Sequence, residues 1–436
     1  MKIIALDTLD TGERARLLAR PEMETGEELR ATVADIIATV RTGGDRAVIE
    51  HGRRFDACPP ESLLATAEDL DGAADELDDE LIAAIDTAMQ TVETFHAAAR
   101  PRDQIVETAP GVTCQARWRA IEPVGLYVPA GSAPLPSTAI MLAVPARLAG
   151  CRDIVLATPP GSDGRADAAV RYIAHRLNID TVLVAGGAQA VAAMACGTES
   201  VPKVAKIFGP GNRFVTEAKR QMAESASGAA MDLPAGPSEV MVIADESAEA
   251  EFVAMDLLSQ AEHGPDSQVF LVTDSDRIAR ETAFALEALL PRLPRAEIAR
   301  TALASGAILL TGDLEQAVSV ANEYAPEHLI IATRDPDRLC RDITSAGSVF
   351  LGHYTPEALG DYISGTNHVL PTGGWARSIA GLSITDFMRR MTVQQATPEG
   401  LKTLGPAGAR LAAHEGLDAH RLAITLRLDR LAAEGQ

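Results

Sequence analysis

The chain has 436 residues, 47% of them hydrophobic and 23% charged, with a formal charge of -22 at pH 7. That length suffices for two or three compact units of roughly 100 to 200 residues each. The acidic field, with no local Lys/Arg cluster, argues against a nucleic-acid partner, and no stretch reaches the roughly 18 uninterrupted apolar residues of a membrane span.

The opening MKIIALDTLDTGERARLL carries a four-residue apolar run that Asp7 interrupts, too short for a signal-peptide core. Cys58, Cys114, Cys151, Cys196 and Cys340 are scattered and form no CxxC pair, so neither a disulfide framework nor a cysteine zinc site is expected. Both features suit a cytoplasmic protein. Residues 1–24 are read only as an N-terminal segment.

From 25 to about 100, apolar residues recur at spacings of three and four, the pattern of amphipathic helices. GVTCQARWRAIEPVGLYVPA then alternates apolar and polar residues, as a strand or hairpin does. From 124 onward, short apolar runs ending in Gly or Pro each precede a helical stretch: VGLYVPAG, DIVLATPPG, TVLVAGG and KIFGPGN. A second set follows with EVMVIADE, a helix over 247–263, SQVFLVTDS, a helix over 276–290, GAILLTG, a helix over 313–322, HLIIAT and GSVFLG. This βαβα rhythm predicts an α/β fold: two Rossmann-like α/β units with parallel-rich sheets, a helical N-terminal segment and a helical C-terminal tail. The expected boundaries are 25–123 plus 239–380 for a discontinuous first domain, 124–238 for a second, and 381–436 for a tail able to dock on another subunit. A cleft between such units is a favoured ligand site.

Several polar clusters interrupt the pattern. In LLSQAEHG, Gln260 and His263 share a helix face while Glu262 points elsewhere. The pair can chelate a metal, or His263 can simply end the helix beside a Gly264 cap. YAPEHLIIAT sets Glu327 and His328 side by side before a strand, where an acid and an imidazole could serve successive proton transfers, or form an ordinary junction. ALGDYISGTNHVLPTGG leaves a strand at its carboxyl end, the usual side for α/β sites, with Asp361 and His368 as candidate ligands. HEGLDAH adds Glu415 and His420. The turns VPAGSAPLPST, AGGAQA and FGPGNRFVTEAK place glycines between strand and helix, which suits phosphate binding or merely tight turning. None is a GxGxxG or a GxxxxGK[ST] motif.

Taken together, these segments with DLPAGPSEVMVIAD, DFMRRMTVQ and LDAHRLAITLR closely resemble the histidinol dehydrogenase family, in the same order from about residue 25 onward. The resemblance implies a homodimer with shared active sites that uses zinc, one ion per subunit, and NAD to oxidise L-histidinol through an aldehyde to L-histidine. It implies zinc ligands at Gln260, His263 and Asp361, with His420 from the partner's tail. It further implies NAD contacts at Tyr127, Gln189 and Asn212, and substrate contacts at Ser137, Ser238, His328, His368 and Glu415 as well as the metal ligands. The implied catalytic pair is Glu327 and His328, with His328 as general base and Glu327 activating water. The donor set lacks thiolate and suits zinc or a related divalent ion. The alternative is a related zinc and NAD dehydrogenase for another small polar alcohol. A non-catalytic binding protein would have lost Glu327 or His328, and a zinc hydrolase would not explain the two α/β units.

Overall fold

The computed structural model describes residues 1–20, 26–56, 58–60, 62–130, 134–233 and 236–434. The chain divides into two units, one of Met1–Ala98 with Glu122–Ile384 and one of Ala99–Ile121 with Thr385–Gln436.

The first unit opens with β1 (Lys2–Ala5), followed by the helices Glu27–Phe55 and Asp79–Ala98. The second unit takes the next hairpin, β2 (Gln104–Ala109) and β3 (Val112–Ala120). Back in the first unit come β4 (Val124–Tyr127), β5 (Ile154–Thr158), β6 (Thr181–Val184), β7 (Lys206–Phe208) and β8 (Ala230–Met231). They form a parallel sheet in the order β6-β5-β4-β7-β8. Next are β9 (Glu239–Ala244), β10 (Gln268–Thr273), β11 (Ala307–Leu310), β12 (His328–Ala332) and β13 (Ser348–Leu351). With β1 they make a second parallel sheet, ordered β1-β11-β10-β9-β12-β13. The fold is thus α/β with parallel-rich sheets.

Why these short runs are apolar throughout follows from the period of two along a strand. Val240 and Val242 face one core with Leu257 and Leu258, while Met241 and Ile243 face another with Val320 and Tyr324. With both faces covered, the middle of these strands is apolar and buried polar residues such as Glu239, Gln268 and His328 stand at strand ends. A third core joins the five-stranded sheet to the Glu27–Phe55 helix, through Val33, Ile36, Ile37 and Val40 against Val191 and Val215. Each such side chain contributes roughly 1.5–3 kcal/mol by leaving water.

The Glu27–Phe55 helix therefore packs with the five-stranded sheet, whereas the expected first domain grouped residues 25–123 with 239–380. Its apolar stripe shows that it packs on something, but not on which of two similar layers. Within the N-terminal segment, given no structural meaning above, Lys2–Ala5 supply an edge strand. The second unit is not a purely helical tail: β14 (Met388–Ala396) pairs antiparallel with β3 along its whole length, giving the order β14-β3-β2. Its apolar residues do not alternate cleanly, and pairing rather than pattern makes it a strand. The helices Pro398–His414 and Asp418–Glu434 then pack on each other. Among the described residues, no helix is long and apolar enough to cross a membrane.

Candidate active site

His328 is the first residue of β12 and Glu239 the first of β9, so this site lies at the amino ends of the six-stranded sheet. The expectation of a carboxyl-end site fails for that sheet. The helix Glu357–Tyr362 comes after β13 and lies across Phe350, where a Cβ on Gly360 would stand 2.5 Å from the ring. It delivers Asp361 to His328, with Asp361 Oδ1 3.3 Å from Nε2. The five-stranded sheet contributes the opposite way, since Tyr127 ends β4 and Gly209 follows β7.

Two cavities meet here. One of about 340 Å³ is lined by Ser137, Ser238, Gln260, His263, Glu327, His328, Asp361 and His368. The other, of about 510 Å³, is lined by Tyr127, Gln189, Asn212, Asp56, Phe55 and the Gly186–Gly187 turn, among others. Pro129 and Asn212 line both.

In the smaller cavity His328 is almost fully buried, and its Nδ1 donates to Glu239 O at 3.2 Å. That bond leaves Nε2 facing Asp361. Glu327 accepts from Glu239 N–H at 2.9 Å and sits 3.6 Å from His328 Nδ1. Burial alone would lower the His328 pKa, but the carboxylates of Glu327 and Asp361 outweigh it and hold the imidazole well above its ordinary 6.5. Asp361 is correspondingly held below the usual carboxylate range: burial works the other way, but the bond from His328 and its charge win. His368 is pushed down by burial and stays neutral. Its Nδ1 donates to Asp361 O at 2.8 Å and its Nε2 accepts from Thr138 Oγ1 at 3.1 Å, so both nitrogens already have protein partners.

The Ala250–Ala261 helix ends one residue after Gln260, and a further turn, closed by His263 N–H to Gln260 O at 3.2 Å, keeps His263 on the same side. Glu262 is not among the lining residues. Glu357, which no sequence signal singled out, lies beneath: Ser259 Oγ donates to it at 2.8 Å and the Gln260 amide nitrogen at 2.8 Å. Burial pushes its carboxyl up to about 8. Gln260, whose amide oxygen in that orientation also accepts from Glu239 N–H at 3.1 Å, lines one cavity with the His263 imidazole and the Asp361 carboxylate, a donor set that fits a divalent metal but is short of a full shell. Among the described residues, no three His, Cys, Asp or Glu side chains form a metal cluster, because this set has only two of those types. Glu415 and His420 belong to the second unit, where both are exposed around the turn between its two helices.

The larger cavity is built from turns. Tyr127 Oη accepts from Gly187 N–H at 3.0 Å, and burial keeps the phenol protonated with its pKa raised to about 12, so its own proton is available to a ligand. Asn212 caps the Arg213–Glu224 helix, its Oδ1 accepting from Phe214 N–H at 3.0 Å and Val215 N–H at 3.1 Å. Gly209 has φ 116°, and a Cβ there would sit 2.1 Å from Tyr127 O, so only glycine lets the chain pass. The N–H groups of Gly187, Phe214 and Val215 at these helix starts are thus engaged by protein oxygens, and what the helix starts offer a phosphate is their positive end.

Comparisons with known proteins show the family of the chain. The family model described as Histidinol dehydrogenase matches residues 18–428. The chain is 51% identical to a histidinol dehydrogenase of Vibrio vulnificus over 435 residues, covering 100% of both proteins. It is 53% identical to one of Xylella fastidiosa, covering 98% of this chain and 99% of that protein. Its structure resembles the crystal structure of histidinol dehydrogenase from Elizabethkingia anophelis, with a TM-score of 0.95, 42% identity and 99% of each chain covered. The chain belongs to the histidinol dehydrogenase family and is an oxidoreductase.

Proposed function

We propose that the chain oxidises L-histidinol through L-histidinaldehyde to L-histidine, passing two hydrides in succession to two NAD molecules. The observation that carries this reading is the meeting of the two cavities at Pro129 and Asn212, with Glu327 and His328 lining one of them. A dinucleotide seated by Tyr127, Gln189 and Asn212 would bring its ring to the side of an alcohol held near His328, and proximity then does much of the work. His328 acts in its neutral form, reached once the Nε2 proton has left, with Nδ1–H held by Glu239 O; Nε2 then takes the alcohol proton as the carbon gives up its hydride. Glu327 removes a proton from water as the aldehyde is hydrated, and the hydrate gives the second hydride.

Gln260, His263 and Asp361 would hold a zinc ion, one per subunit, with His420 contributed by a second copy. When bound, the metal supplies a fixed anchor for the substrate's amine and imidazole. Ser137, Ser238, His368 and the second copy's Glu415 complete the substrate contacts in this reading. Because both His368 nitrogens are engaged, its contact requires the Thr138 bond to yield or uses the ring face. The protein is accordingly read as a cytoplasmic homodimer.

The test is stoichiometric. The purified enzyme with histidinol and excess NAD should form two NADH per histidinol consumed, and histidine as the product. No turnover of histidinol, with turnover of another small polar alcohol, would reassign the substrate.

A further inference from the structure

Glu239 lies in the AGPSEV stretch, is almost fully buried and lines neither cavity. Its backbone nevertheless holds both members of the candidate catalytic pair. Its N–H donates to Glu327 Oε2 at 2.9 Å, and its carbonyl accepts from His328 Nδ1 at 3.2 Å. The carboxylate is held in turn: Arg20 Nε donates to Oε1 at 2.6 Å, Arg20 Nη2 to Oε2 at 2.8 Å, and Gly373 N–H to Oε1 at 2.8 Å.

Arg20 does more than neutralise this buried charge. Its Nη2 also donates to Tyr324 O at 2.8 Å and Ala325 O at 3.3 Å, and its guanidinium lies 3.9 Å over the Tyr324 ring. Tyr324 and Ala325 end the helix that leads into Glu327, and Ala325 is left-handed, with φ 54° and ψ 67°. A non-glycine residue holds that conformation only when its surroundings impose it. One guanidinium fork therefore ties the start of β9 to the turn before β12.

We propose that Arg20 and Glu239 are positioning residues for the Glu327–His328 pair: the brace fixes the peptide to which both groups are hydrogen-bonded. This rests on the role given to that pair under the proposed function. Arg suits the task because its planar fork makes two parallel bonds to a carboxylate and still reaches two carbonyls, which an ammonium cannot reproduce.

The test uses the full-length, metal-loaded enzyme with Arg20→Met and Arg20→Lys, assayed separately on histidinol and on histidinaldehyde. Displacing the pair by about 1 Å should lower kcat about 10²-fold in both half-reactions for Arg20→Met. KM for both substrates and for NAD should stay within about two-fold, because no cavity-lining residue has changed. Arg20→Lys keeps the charge and should recover to within about ten-fold of wild type. If Arg20→Met does not fold, Arg20→Lys decides alone, with a roughly ten-fold lower kcat at unchanged KM as the expected result. A folded variant with full kcat, or one whose loss lies in KM, overturns the brace. Glu327→Gln and His328→Asn serve as controls: if both keep full activity, the role of the pair fails instead.

Discussion

The two sheets of the first unit meet the site with opposite ends and different chemistry. The five-stranded sheet offers the carboxyl ends of β4 and β7, with glycine turns, helix starts and the neutral side chains of Tyr127 and Asn212. The six-stranded sheet offers the amino ends of β9 and β12, where the carboxylates of Glu327 and Asp361 act on His328 and His328 in turn acts on Asp361 and Glu357. Backbone amides and neutral side chains recognise a ligand without changing state, whereas proton transfer needs groups whose pKa values can be set by neighbours. On the proposed reading, cofactor binding and proton handling are divided between the sheets, and each half can be attacked separately.

The largest effect is expected on the charged side. Removing bound metal with a chelator should abolish turnover and leave NAD binding within about two-fold, since Gln260, His263 and Asp361 line only the smaller cavity. Loss of NAD binding on chelation, followed by dye displacement or fluorescence, would break the division. Next, Glu327→Gln should slow oxidation of the aldehyde by about 10²- to 10⁴-fold, the usual worth of a positioned base. Rapid-quench analysis should then find aldehyde accumulating on the enzyme.

On the neutral side the effects should be smaller and of another kind. Asn212→Ala removes a cap worth about 0.5–2 kcal/mol, which should lower Tm by a few degrees and raise KM for NAD several-fold at nearly constant kcat. A fall in kcat alone would place Asn212 with the chemistry instead.

The smallest effect concerns Glu357. Its folded carboxyl, raised by burial to about 8 from 4.5, contributes stability that is complete below about 4.5 and is lost as pH rises toward about 8. Thermal denaturation of the metal-free protein between pH 5 and 8.5 should therefore show a steeper decline for wild type than for Glu357→Gln. Parallel curves would return Glu357 to the ordinary carboxylate range.

Much of this was legible before folding was considered, because strands buried on both faces must be apolar throughout and helices between them must be amphipathic. QAEHG was legible in the same way: one turn of helix puts Gln260 and His263 on one side, and the cavity excludes Glu262 as that spacing requires. The roles of Arg20, Glu239 and Glu357 were not. Each depends on partners far away in the chain, as with Arg20 and Glu239 at a separation of 219 residues, and no local spacing encodes such a pairing. The end of the sheet that carries the site was also hidden, since it depends on the path of the Glu357–Tyr362 helix across Phe350.

β1 has a consequence in time. It completes the edge of the six-stranded sheet by pairing Lys2 with Ala307 and Ala5 with Leu310, so it leaves the ribosome about 300 residues ahead of the strand it pairs with. At ~5–20 residues per second, that delay is on the order of 15 s or more. Arg20 follows closely on β1, and its partners Glu239 and Tyr324 likewise emerge late. A chain still on the ribosome can thus have all strands of its five-stranded sheet while the six-stranded sheet still lacks β11 and β12.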